Sequence, residues 1–165
     1  MYKCSLKVRS DWKGGYFVAL DTRELFARLI QCEAGGEGDS GMRAVATVIM
    51  NRATIDYGEF ARVSQGGNMR NIINQPGQFD CVRDVVGGRY NPQNVWNMDP
   101  QDIHYQIADW AISGGIQSGV DNSLFYYNPY SPKCASYFPP GGAGVIHNRI
   151  NNHCFYIPTS RYAKT

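Results

Sequence analysis

The chain has 165 residues, a net charge of +2, and an apolar share of 43% against 18% charged residues. That balance fits a folded globular domain and excludes a disordered, charge-rich segment; the scattered Lys and Arg exclude the basic stripe of a nucleic-acid binder. No apolar run approaches the length of a membrane helix, so no membrane span is expected.

Residues 1–20 read as an N-terminal arm, with 16–20 as an extended strand or packed segment, and residues 21–165 read as one domain. The opening MYKCSLKVRSDWKGG carries Lys3, Lys7 and Arg9 and no apolar core. No secretory leader is therefore expected, and the chain is expected to be made in a cytoplasm.

The first helix is predicted to start at Asp21, which with Glu24 fits a capping box, and to stop near Gly35-Gly36. On a wheel of about 100° per residue with Leu25 at zero, Leu29 falls near 40°, Phe26 near 100° and Ile30 near 140°. Glu33 falls near 80°, inside this apolar arc, whereas Glu24 falls on the opposite side. The last turn of a helix also disfavours a carboxylate through the helix dipole. Burial and dipole both favour the protonated acid, and a protonated carboxyl in an apolar wall suits general acid catalysis of glycosidic cleavage. The plain structural alternative is a carboxylate paired with an arginine or capping the loop that follows. Glu37 and Asp39, in that loop, are candidates for a second carboxylate, although acids before a helix start are favourable there without any chemistry.

Asp39 or Ser40 is predicted to cap the second helix, MRAVATVIMNRA, which is apolar nearly all round and so belongs in the centre of the fold. Residues 54–100 read as loop with short helical pieces, broken at Gly66-Gly67, Gln75-Pro76-Gly77 and Gly87-Gly88. A third helix is predicted from Asp99-Pro100, with Asp99 as cap, an inner face of Ile103, Ile107, Trp110 and Ala111, and an end at Gly114-Gly115. Residues 123–127 read as a strand and 129–144 as a Pro/Gly-rich loop. Val145-Ile146 and residues 154–157 read as strands about a turn near Asn151-Asn152. Helices first and a small antiparallel sheet last predict an α+β fold.

The five cysteines are Cys4, Cys32, Cys81, Cys134 and Cys154. The odd count and the lack of any CxxC speak against a zinc site, and reduced, partly buried thiols are the preferred expectation over one or two disulfides. No cofactor or metal is expected.

The segment LIQCEAGGEGDSGMRAVATVIMNR resembles the opening signature of the SleB/CwlJ spore cortex-lytic cell-wall hydrolases. Its acidic frame is Cys32-Glu33-Ala34-Gly35-Gly36-Glu37, and its Ala/Val-rich helix ends at Asn51-Arg52. The segment from Gln75 to Phe79, QPGQF, is similar to that family's QPGxF. LFYYNP, from Leu124 to Pro129, is similar to its LYYxNP, and Asn152-His153-Cys154-Phe155 to its terminal KHxF strand. The four motifs stand in the family's order and cover about residues 22–157. Two features depart from the pattern: the extra Pro139-Pro140-Gly141-Gly142 and a long connection over 57–67.

The resemblance implies a helical lysozyme-like core that cleaves spore cortex peptidoglycan during germination, with Glu33 as its catalytic residue. It further implies lytic transglycosylase chemistry between N-acetylmuramic acid and N-acetylglucosamine. A hydrolase would need a second acid, for which Glu37, Asp39 and Asp80 are the candidates. Gln75, Phe79, Tyr126, Asn128 and His153 are the expected substrate-binding residues, while Arg52 is expected to anchor the loop at its helix end. The resemblance leans toward the CwlJ branch and so toward the spore coat–cortex boundary and a spore-coat partner protein. Alternatives are an N-acetylmuramoyl-L-alanine amidase, a phage-type endolysin, or a non-catalytic glycan-binding coat protein. A thiol enzyme using Cys32, Cys81, Cys134 or Cys154 with His104, His147 or His153 is a further rival.

Overall fold

The Asp21 carboxylate accepts the Glu24 N–H at 2.7 Å and caps the first helix, α1, Thr22–Ala34. The computed structural model describes residues 19–165. The arm expected over 1–20 and the strand over 16–20 lie outside the described residues, apart from Ala19 and Leu20. The apolar arc of α1 is buried as the wheel requires: Phe26, Leu29 and Ile30 are fully enclosed. That stripe packs on α2, Gly38–Thr54, and α5, Asp102–Ile112, which also pack on each other. Ala44, Val45, Ala46, Val48 and Ile49 of α2 are all fully buried, so α2 is the central helix. Enclosing each of the large side chains contributes about 1.5–3 kcal/mol. Glu24, on the opposite side of α1, pairs with Arg28 at 2.8 Å, and Arg28 Nη1 in turn donates to the Met98 carbonyl.

Two helix starts differ from expectation. Glu37 stands at the N-cap of α2 without a side-chain cap bond, and Asp39 lies inside the first turn, paired with Arg43 at 2.7 Å. The chain turns into α2 through Gly38, whose φ of +73° is open to glycine, so neither Asp39 nor Ser40 is needed as a cap. Helix α5 starts at Asp102 rather than at Asp99-Pro100. Gln101 and His104 cap it reciprocally, the His104 Nδ1 accepting the Gln101 N–H at 2.9 Å. Its inner face is His104, Ile107, Ala108 and Ala111, with Ile103 and Trp110 only partly covered.

The connection that reads as long over 57–67 holds a helix, α3, Gly58–Ser64; a short α4, Met69–Ile73, follows, then a 3-10 turn at Asp80–Val82. A small hairpin pairs β1, Val85–Val86, with β2, Arg89–Tyr90. The C-terminal sheet is antiparallel in the order β3-β5-β4, from Phe125–Tyr127, His153–Pro158 and Gly144–Ile150. The β4–β5 turn is at Asn151, whose φ of 50° is left-handed. Strand alternation then sorts the side chains: Tyr126, His153 and Phe155 share one face, the first two with ring centroids 5.4 Å apart. Phe155 on this face packs with Ala44 and Val48 of α2. The other face, with Phe125 and Tyr156, is covered by Tyr162 and Phe138. This α+β architecture has the helices leading and the sheet closing the chain.

The four cysteines among the described residues are not reduced thiols. Cys32 bonds Cys81 and Cys134 bonds Cys154, at Cα separations of 6.2 and 5.9 Å. The partners are 49 and 20 residues apart, so nothing local announces them. Among the described residues no helix is long and apolar enough to cross a membrane.

Candidate active site

Glu33 sits on the last turn of α1, where Cys32 beside it is tied to Cys81 on the Asp80–Val82 turn. Its side chain lines a cleft of about 490 Å³ that opens between the end of α1, the 77–81 segment, strand β3 and His153. Tyr126 reaches it from the sheet, its hydroxyl donating to Glu33 Oε2 at 3.0 Å. The period of β3 matters here: Tyr126 reaches Glu33 at the end of α1 because its neighbours Phe125 and Tyr127 lie on the opposite face of the strand, where Phe125 packs on Phe60 of α3.

The electrostatics of Glu33 follow from these contacts. Burial pushes its carboxyl above the usual carboxylate range; the Tyr126 hydroxyl and the positive charge of Arg52 pull it back, and Asp80 pushes it up again, leaving it raised. Tyr126 itself stays firmly protonated, because burial and the adjacent Glu33 hold its phenol well above its ordinary value. It therefore keeps its proton and serves as the donor to Glu33 Oε2, which leaves Oε1 as the carboxyl oxygen free of that contact.

Arg52, at the end of α2, is buried at 5% exposure and still touches the cleft wall. Its Nε donates to the Leu124 carbonyl at 2.7 Å, and its guanidinium lies over the rings of Phe60 and Phe79 at 4.8 and 5.4 Å. It anchors β3 to α2, and its charge also acts on Glu33.

Glu37 faces away from the cleft into the β4–β5 turn, where its carboxylate accepts from the Asn152 N–H at 3.1 Å and from Asn152 Nδ2 at 3.0 Å. Burial pushes it up, but the Asn152 donors and His153 outweigh this and hold it below its ordinary value. Gly41 permits this clasp, since a Cβ there would stand 2.4 Å from the Glu37 Cβ. Asp39 is exposed and paired with Arg43. Asp80 does line the cleft, with Arg83 3.2 Å from its carboxylate.

Phe79, Tyr126, Asn128 and His153 are brought together on the cleft wall, and Gln75 is not. The Gln75 Nε2 donates instead to Glu59 Oε1 at 2.8 Å, which turns the side chain away. Phe79 is nearly enclosed at 3% exposure, as a packing residue beneath Arg52. His153 lies 3.7 Å from Glu37, and burial lowers its pKa while Glu37 pulls it back up, so the ring is neutral near pH 7. Four of the five cysteines are disulfide-bonded and His104 is occupied as a helix cap, so the thiol-enzyme constellation does not form. Gln78, Asn91, Gln93 and Tyr130 also line the cleft. Gln78 falls within the QPGQF segment, whereas Asn91, Gln93 and Tyr130 come from loops without periodicity, so no sequence pattern singles those three out.

The sequence model of the Cell Wall Hydrolase family matches residues 36–156. The chain is 28% identical over 137 residues to the cell wall hydrolase CwlJ of Bacillus subtilis, covering 83% of this chain and 85% of that protein. It is 26% identical over 137 residues to the CwlJ of Halalkalibacterium halodurans, at 83% and 85% coverage. The catalytic domain of the germination-specific lytic transglycosylase SleB from Bacillus anthracis has a similar fold, at a TM-score of 0.58 and 23% identity over 84% of this chain and 97% of that one. The catalytic domain of the Bacillus cereus SleB protein gives the same TM-score of 0.58 at 25% identity, covering 81% of this chain and 88% of that one.

Proposed function

This chain belongs to the cell wall hydrolase family, and on that premise we propose that it cuts the glycan strands of spore cortex peptidoglycan as a lytic transglycosylase, with Glu33 acting first as acid and then as base. The observation that carries this reading is Glu33 on the cleft wall, accepting a hydrogen bond from the Tyr126 hydroxyl at 3.0 Å, with its carboxyl pushed up by burial.

Glu33 Oε1 gives its proton to the glycosidic oxygen between N-acetylmuramic acid and N-acetylglucosamine. The bond from the muramic C1 to that oxygen breaks, and positive charge develops on C1. The sugar's own acetamido group is placed to stabilise it. Glu33, now an anion, is stabilised by the Tyr126 donor and by the charge of Arg52, the two influences that lower its pKa. It then takes the proton of the muramic C6 hydroxyl as that oxygen closes on C1. The proton balance returns Glu33 to its starting form, and no water is consumed.

Asn128, with Gln93 nearby on the wall, supplies amides suited to N-acetyl groups, while Asn91 is committed to the Asp80 and Arg83 carbonyls, and Tyr126 and His153 shape the floor. Asp80 favours a second reading: as another carboxylate on the cleft wall, it could activate water and make the enzyme a hydrolase. The spore coat–cortex boundary and a spore-coat partner complete the proposal, from the likeness to CwlJ proteins.

The test is digestion of purified cortex peptidoglycan followed by mass analysis. Anhydro-muramic ends that persist in Asp80→Asn support transglycosylation. Reducing ends that vanish in Asp80→Asn support hydrolysis, and free stem peptides would make the enzyme an amidase.

A further inference from the structure

Tyr130 is 91% exposed, yet it borders the same cleft as Glu33. Its φ of 49° is left-handed, a conformation that a bulky side chain adopts only at a cost. A residue selected for folding would bury the ring, and one selected for the turn would be glycine or asparagine. Tyr130 satisfies neither demand.

The backbone around it is over-determined without the ring. The Tyr130 N–H donates to Asn128 Oδ1 at 2.8 Å. Arg149 Nη1 donates to the Ser131 carbonyl at 2.9 Å, and Ser131 Oγ accepts the Lys133 N–H at 3.3 Å. The strain is thus held by polar contacts, and it leaves the ring uncovered beside the cleft. Strain of this kind collects at ligand sites, where the surrounding structure maintains it.

We propose that Tyr130 is the stacking platform for a pyranose ring at the mouth of the cleft, and that Asn128 is a positioning residue that aims it. This rests on the glycan-cleaving reading above. The flat ring takes the apolar C–H face of the sugar, while the side-chain amide of Gln93 on the same cleft wall suits its N-acetyl and hydroxyl groups. Covering about 50 Å² of the ring corresponds to about a tenfold gain in affinity.

The test uses a soluble tetrasaccharide of alternating N-acetylglucosamine and N-acetylmuramic acid, titrated calorimetrically into the Glu33→Gln protein, which binds without turnover. Adding Tyr130→Asn should weaken binding about tenfold and leave Tm unchanged or higher by up to about 3 °C, because asparagine tolerates the left-handed region. Tyr130→Trp, which keeps an aromatic face, should stay within about twofold of Tyr130. Unchanged affinity in Tyr130→Asn, or a loss as large in Tyr130→Trp, overturns the proposal and leaves the ring for a protein contact. A Tm fall beyond about 3 °C in Tyr130→Asn overturns it in favour of a structural prop. If the Glu33→Gln protein with Tyr130 intact does not bind the tetrasaccharide, the glycan-cleaving reading falls and this proposal with it.

Discussion

Cutting the Cys32–Cys81 bond should both loosen the fold and disorganise the cleft. The bond closes a loop with partners 49 residues apart, against 20 for Cys134–Cys154. Chain-entropy arithmetic assigns about 4 kcal/mol to the longer loop and about 3 kcal/mol to the shorter. For a domain of this size each kcal/mol moves Tm by about 2–4 °C, so Cys81→Ser should lower Tm by about 8–16 °C and Cys134→Ser by about 6–12 °C. The longer bond also joins the turn bearing Glu33 to the segment bearing Phe79 and Asp80, so Cys81→Ser should lose more activity than its stability loss explains at a temperature where both variants are folded. Melting followed by circular dichroism, with and without reductant, measures the first effect, and cortex digestion measures the second. Thiol titration of the unreduced, denatured protein gives the direct count: no more than one reactive thiol is expected, because Cys32, Cys81, Cys134 and Cys154 are bonded. Five thiols, or a Tm insensitive to reductant, would refute the reasoning.

Glu33→Gln should abolish cleavage, with a loss of at least about 10²-fold measured on cortex peptidoglycan. In the wild type, kcat/KM should fall as pH rises through the raised Glu33 value, because the acid must carry its proton. The same shift acts on stability. The folded carboxyl holds its proton to higher pH than the unfolded chain, whose ordinary value is 4.5, so its contribution is complete below that pH and is lost as pH rises through the folded value. Glu33→Gln should therefore melt above the wild type at neutral pH and level with it near pH 3, within about 1 °C. Tyr126→Phe removes the donor that favours ionised Glu33, so the falling limb of the pH–rate profile should move to higher pH and kcat should drop about 10- to 100-fold; an unmoved limb would count against the pair. Glu37→Ala frees Asn152 and should cost about 1–3 kcal/mol in urea unfolding, with Glu33-dependent cleavage surviving in the folded fraction.

Local chemistry in the sequence was enough to determine the parts of this protein that depend on neighbours within a turn. The Asp21 cap, the buried arc of α1 with Glu33 inside it, the all-round apolar α2 and the last two strands are each set by spacing of 3.6 or 2 residues, and spacing is written in the chain. Where two local signals compete, tertiary contacts chose between them. Asp39 is a good cap by type, but Gly38 makes the turn and Arg43 takes the carboxylate; Asp99-Pro100 is a good start, but the Gln101–His104 exchange begins α5 instead. Only the folded chain could decide what lies at long range. Cysteine pairing requires knowing which Cα atoms come within bonding distance. The diversion of Gln75 to Glu59 requires knowing that α3 passes beside it. The donor to Glu33 comes from Tyr126, 93 residues away, so a wheel can place the acid in the wall but cannot supply the groups that set its proton affinity. Proton affinity at that carboxyl is a sum over desolvation, one phenol, one guanidinium and one distant carboxylate, and such a sum exists only once the helix end, the sheet and the 77–81 segment have closed around it.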